Sequence, residues 1–156
     1  MADILLLNGP NLHALGQREP DLYGQHTLPA IVQDLQHQAS QAGHSIHPFQ
    51  SNHEGALLDR LYQAQQEQMA WVIINPGALG HTSIALRDAF LATALPFIEV
   101  HLSNIYRRES YRRKSLLADM ASGVIIGLGP LGYGLALEAI CQRLQASGQD
   151  AMGSGN

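Results

Sequence analysis

The chain has one cysteine, Cys141, and so cannot close an internal disulfide, which fits a reducing compartment. It has one lysine, Lys114, set among arginines in Arg107-Arg108-Glu109-Ser110-Tyr111-Arg112-Arg113-Lys114. A lysine in such a run is poorly placed to be a buried Schiff-base nucleophile. Cys141 falls on an apolar helical face and reads as core, so catalysis through either nucleophile is disfavoured. Charge is also scarce. Only 14% of residues are charged, and thirteen acidic against nine basic residues give a net charge of −4. That balance argues against a general nucleic-acid binder, although the run from Arg107 could form a local basic patch. No HExxH, no cysteine pair and no GxxxxGK[ST] phosphate loop occurs. The start, Met1-Ala2-Asp3, lacks a basic signal-peptide region, and the uncharged stretch Ser122 to Leu137 is broken by five glycines and Pro130. A cytoplasmic, soluble protein is expected.

What the chain does have is apolar residues, 46% of 156, enough for one sizeable core. They fall into short runs alternating with helical spacing. Ile4 to Leu7 reads as a first strand, Ser45 to Gln50 as a weaker second, Trp71 to Ile74 as a third, Pro96 to Leu102 as a fourth and Gly123 to Leu128 as a fifth. Between them, Leu28, Ile31, Val32, Leu35 and Ala39 keep helical spacing behind a Thr27 N-cap, with Pro29 in the first turn. Leu57, Leu58, Leu61 and Ala64 mark a second helix. Ile84, Ala85, Leu86, Phe90 and Leu91 mark a third, and Leu135, Leu137, Ile140, Cys141 and Leu144 a last one. Strands alternating with helices predict an α/β fold, flavodoxin-like, with a five-stranded parallel sheet covered by helices on both faces. Residues 1–146 are expected to form a single domain. Residues 147–156, rich in Gly and Ser, are expected to form a flexible tail.

A parallel sheet gathers its carboxyl ends on one edge, where ligands bind. The first strand brings Asn8 and Asn11 there, the third brings Asn75 with His81 shortly after, and the fourth ends in Glu99-Val100-His101-Leu102-Ser103. Taken singly, each is an ordinary turn or structural residue; their convergence on one edge marks a site. Glu99 and His101 stand two apart on a strand and so share a face, where the carboxylate can orient the imidazole. A metal bound by Glu99, His101 and His81 is the competing reading. An arginine of the basic run could clamp a substrate carboxylate, but spacing does not say which. Gly127-Leu128-Gly129-Pro130-Leu131-Gly132 matches the dinucleotide pattern G-x-G-x-x-G, but it lies in the last βα unit, with no later strand to carry the ribose-binding acid. Close packing explains these glycines better, and a nucleotide-binding module using them is the non-catalytic alternative.

After Ile4 to Leu7 the chain turns at Asn8-Gly9-Pro10-Asn11 and offers Arg18 and Tyr23 in one loop. A free tyrosine has a pKa of about 10, so ionising Tyr23 readily at neutral pH needs a shift of about three units, roughly 4 kcal/mol. A close cation such as Arg18 in a water-poor site could supply much of that. On the residues alone, Tyr23 reads slightly better as an amphipathic tyrosine packing the loop.

These blocks resemble the type II dehydroquinases over residues 4 to about 145. The resemblance rests on Asn8-Gly9-Pro10-Asn11-Leu12, Leu15-Gly16, Arg18-Glu19-Pro20, Tyr23-Gly24, Gln50-Ser51-Asn52, Glu54-Gly55 and Ile74-Asn75-Pro76. It continues through His81-Thr82-Ser83, Ala85-Leu86-Arg87-Asp88, Ile98 to Asn104, Gly123-Val124-Ile125 and Gly127-Leu128-Gly129. It implies dehydration of 3-dehydroquinate in the shikimate pathway by anti elimination through an enolate, with no metal and no cofactor. By match, Tyr23 is the tyrosinate base, Arg18 lowers its pKa, Asn11 holds a water at the enolate, and His101, oriented by Glu99, is the acid. Asn75, His81, Leu102, Ser103 and Arg112 match substrate-binding positions, the amides of Leu102 and Ser103 holding the carboxylate. Asp88 matches a residue reaching a neighbouring subunit's site, in trimers that assemble into a homododecamer. Residues 16–26 would form a polar lid hinged near Gly16 and Gly24. The chain departs from the usual pattern at His13, where Asn is common, at Ala14, where Leu is, and at Gly80, where Thr or Ser is.

Overall fold

The computed structural model describes residues 1–17 and 26–153. Arg18, Tyr23 and Gly24 lie outside the described residues. The elements follow in the order β1 (Asp3–Asn8), α1 (Leu28–Gln41), β2 (Ser45–Gln50), α2 (Glu54–Gln66), β3 (Trp71–Asn75), a short α3 (Leu79–Thr82), α4 (Ile84–Thr93), β4 (Phe97–His101), β5 (Gly123–Ile126) and α5 (Leu131–Gly153). All five strands are parallel, in the order β2-β1-β3-β4-β5. The first crossover goes one way from β1 and the rest go the other, so the strand order reverses between β1 and β3.

The apolar runs are continuous because both faces of the sheet are covered. Successive side chains of β1 go to opposite sides. Leu5 and Leu7 join Val72 and Ile74 in a core closed by Leu57 and Leu61 of α2 and Leu86 and Phe90 of α4. Ile4 and Leu6 join Ile73, Ile98 and Val100 in a second core under α1 and α5. The α1 cap is as expected, with Thr27 accepting from the Ala30 amide at 3.3 Å. Strand limits differ from the sequence reading by up to two residues. The last helix differs more. Ser147 to Gly153, expected as the start of a tail, continue α5, with residues 145–153 all exposed. Gly and Ser in this stretch lower helix propensity without breaking a helix already nucleated on the core.

The turns after β1 and β3 touch. The Gly9 amide donates to the Asn75 carbonyl at 2.8 Å. A Cβ at Gly9 would stand 2.3 Å from the Pro76 carbonyl oxygen. Backbone blocks backbone there, and neither can step aside cheaply. Gly9→Ala is therefore expected to cost about 3 kcal/mol, read as a lower urea midpoint at matched protein concentration. An unchanged midpoint would mean the two turns are not in this contact.

Candidate active site

Asn8, Asn75 and His101 end β1, β3 and β4, so the sheet delivers them to one edge beside the reversal of strand order. A cavity of about 420 Å³ opens there, within the range of small-molecule sites. Its walls include Asn11, Leu12, Ala14, Asn75, His81, His101, Leu102, Ser103, Arg108 and Arg112. Seven of the expected residues thus meet: Asn11, Asn75, His81, His101, Leu102, Ser103 and Arg112. Glu99 lies behind His101 and is fully buried. Asp88 is exposed on α4 and does not line the cavity of its own chain. Of the unusual residues, Ala14 lines the cavity and exposed His13 does not, while Gly80 packs beneath it. A Cβ at Gly80 would meet Pro76 Cγ at 2.7 Å and His101 Cε1 at 3.6 Å.

The carboxylate of Glu99 accepts from His101 Nε2 at 2.7 Å. Because a carboxylate only accepts, this bond fixes the proton on Nε2 and leaves Nδ1 as the ring nitrogen to meet a ligand. The His81 ring stacks against His101 with centroids 6.1 Å apart. Its own Nδ1 donates to the Lys114 carbonyl at 2.8 Å, which leaves Nε2 as an acceptor in the neutral ring.

Behind Asn75 lies a group that sequence reasoning missed. Tyr133, in the first turn of α5, is fully buried, and its phenol donates to Asn8 Oδ1 at 2.6 Å and accepts from Asn75 Nδ2 at 3.0 Å. The Asn75 Oδ1 accepts from the Gly77 amide at 3.2 Å, so one N–H of its carboxamide remains for the cavity. Burial pushes the Tyr133 phenol well above its ordinary range, which makes it a fixed donor and not a base. An aromatic at a helix start reads as core in sequence, and Tyr133 is core; only its polar tip reaches the strand ends.

Asn11 adopts a left-handed backbone with φ 70°, which Asn tolerates. Its amide donates to Asn52 Oδ1 at 2.9 Å, and Gln50 Nε2 donates to that same oxygen and to the Gly9 carbonyl, both at 3.1 Å. Gln50 and Asn52 thus pin the turn that places Asn11. Both appear in the sequence blocks, but spacing gave them no role.

Of the basic run, Arg108 and Arg112 reach the cavity, and Arg113 turns back to the Arg108 carbonyl at 2.9 Å. Arg112 Nε lies 3.0 Å from Glu109 Oε2 without aligned hydrogen-bond geometry, so this is an ion pair only. The backbone around Glu109 and then the two arginines hold its carboxyl below its usual range. Arg108 is the cation that the sequence reading did not select.

The glycine pattern after β5 serves packing and turns. A Cβ at Gly132 would press on Ile125 and Val100 at 3.2 and 3.3 Å. Gly127 and Gly129 amides donate to the His101 and Leu102 carbonyls at 3.1 and 2.9 Å, fastening this loop to the end of β4. Among the described residues no three His, Cys, Asp or Glu side chains cluster to hold a metal ion, so the set Glu99, His101 and His81 does not form a ligand group. Partial burial, with Glu138 nearby, raises the Cys141 thiol above its usual range, in keeping with a packing role.

The sequence model described as Dehydroquinase class II matches residues 2–141. A 3-dehydroquinate dehydratase of Methylococcus capsulatus is 59% identical over 147 residues, covering 94% of this chain and 99% of its own. One of Nitrosococcus oceani is 56% identical over 144 residues, covering 92% and 98%. The crystal structure of a type II dehydroquinase from Propionibacterium acnes superposes with a TM-score of 0.85 at 38% identity, covering 91% of this chain and 97% of that one. With the family model matching most of the chain and these relatives matched over nearly their whole length, the chain belongs to the class II dehydroquinase family.

Proposed function

We propose that the protein dehydrates 3-dehydroquinate to 3-dehydroshikimate by anti elimination through an enolate. The C2 proton is α to the ketone, so the reaction needs a base, a stabiliser for the enolate oxygen and an acid for the departing C1 hydroxyl. One observation carries the assignment of the acid. His101 faces the cavity while its Nε2 is held 2.7 Å from a buried carboxylate, which orients the ring so that Nδ1 is the nitrogen that meets the departing hydroxyl. Arg112, with Arg108 beside it, and the backbone amides at Leu102 and Ser103 take the substrate carboxylate. Asn75 and His81 take its hydroxyls, and Asn11 holds the water at the enolate. Tyr23 removes the proton as tyrosinate with Arg18 lowering its pKa, in a lid spanning residues 16–26.

The proposal extends to assembly as trimers forming a homododecamer in the cytoplasm. Exposed Ile84 and Leu91 lie on the same face of α4 as Asp88, an apolar surround suited to carrying that carboxylate into a neighbouring copy. The direct test is the ultraviolet absorbance of the conjugated enone on mixing purified protein with 3-dehydroquinate. Turnover is expected to be unchanged by EDTA. Absent turnover would overturn the function, and loss of turnover in EDTA would overturn the cofactor-independent route. Calorimetric binding of NAD, FMN or ATP in place of turnover would point to the nucleotide-binding alternative.

A further inference from the structure

We propose that Ser115 is a positioning residue, whose hydroxyl holds Glu99 against His101. The inference rests on the acid role given to His101 above. Glu99 is fully buried, and a buried carboxylate needs donors on both oxygens. His101 serves Oε2, and Ser115 Oγ serves Oε1 at 2.7 Å. The direction of that second bond is fixed by counting. A hydroxyl has one proton and two lone pairs. Ser115 Oγ already accepts from the amides of Leu117 at 3.1 Å and Ala118 at 3.2 Å, so its proton goes to Glu99.

Ser115 cannot drift from this position, because its neighbours are fastened on both sides. The Lys114 carbonyl accepts from His81 Nδ1 at 2.8 Å. The Leu116 amide donates to the Gly80 carbonyl, and the Leu116 carbonyl accepts from Arg87 Nη1, both at 2.8 Å. Arg87 is itself paired with Asp119, Nη2 to Oδ2 3.0 Å. The strap 114–116 therefore sets the tautomer of one site histidine directly and the orientation of the other through Glu99. Ser115 does not line the cavity, and the site residue its side chain touches is Glu99.

Ser115→Ala in the full-length protein is expected to lower kcat about 10-fold, with KM within about two-fold. Ser115→Thr, which keeps the hydroxyl, should recover most of the loss. A structural defect would act whether or not Glu99 is a carboxylate, so the deciding comparison uses Glu99→Gln. In that background Ser115→Ala should change kcat by less than about two-fold. If Ser115→Ala does not fold, Ser115→Cys takes its place, with the same coupling expected from a weaker donor. Equal factors in both backgrounds, or no rescue by Thr, would overturn the proposal while leaving the assignment of His101 intact. A fully active Glu99→Gln would overturn that assignment and the proposal together.

Discussion

Tyr23→Phe is expected to lower kcat on 3-dehydroquinate by at least about 10³-fold, with the unfolding midpoint unchanged. Phenylalanine fills the same volume but cannot accept the C2 proton. Another phenol would have to take over for activity to survive, and the site does contain one. Tyr133 meets Asn75 at the edge of the cavity, yet it cannot substitute. Its proton is committed to Asn8 at 2.6 Å, and full burial disfavours its phenolate. Tyr62, Tyr106 and Tyr111 are exposed and line no part of the cavity. The two tyrosines should therefore separate cleanly. Tyr133→Phe leaves Asn8 Oδ1 and Asn75 Nδ2 without their buried partner and should cost about 1–3 kcal/mol of stability, with a smaller loss of kcat. Stopped-flow or steady-state turnover alongside thermal unfolding of both variants measures the contrast. A Tyr23→Phe variant that turned over at the wild-type rate would sink the tyrosinate mechanism.

The sheet was legible because β1, β3 and β4 are buried, mostly apolar runs, and periodicity needs nothing more than burial on both faces. The edge residues were legible for a topological reason. Parallel strands have a common carboxyl end, so Asn75 and His101 had to share one edge of the sheet, and the adjacency of β3 and β4 then brings them together. Groups that act through a third element were not legible. Tyr133 and Ser115 sit 125 and 16 residues from the side chains they contact, Asn8 and Glu99, and each looks ordinary beside its sequence neighbours. Arg108 was hidden differently: four arginines share one short run, and only the turns over residues 105–107 and 110–112 decide which reach the cavity. The helical course of 147–153 is not legible because local Gly and Ser content says nothing of the roughly four turns of α5 that precede it.

His101→Ala is expected to lower kcat about 10³-fold, and here the loss of activity must be told apart from damage to the fold. Removing the imidazole leaves Glu99 Oε2 buried with no donor, and an uncompensated buried carboxylate is strongly destabilising. A lower melting temperature is therefore expected along with the lower rate. The neighbouring groups offer no replacement acid. His81 has its Nδ1 proton committed to the Lys114 carbonyl at 2.8 Å, and Arg108 and Arg112 do not give up protons. Adding Glu99→Gln to His101→Ala removes the stranded charge, so stability should return in part while turnover does not. External imidazole should restore a measurable fraction of the His101→Ala rate by entering the space left beside Glu99. If the double variant regained activity together with stability, the imidazole would be holding the fold and not the proton, and the acid would have to be sought elsewhere in the cavity.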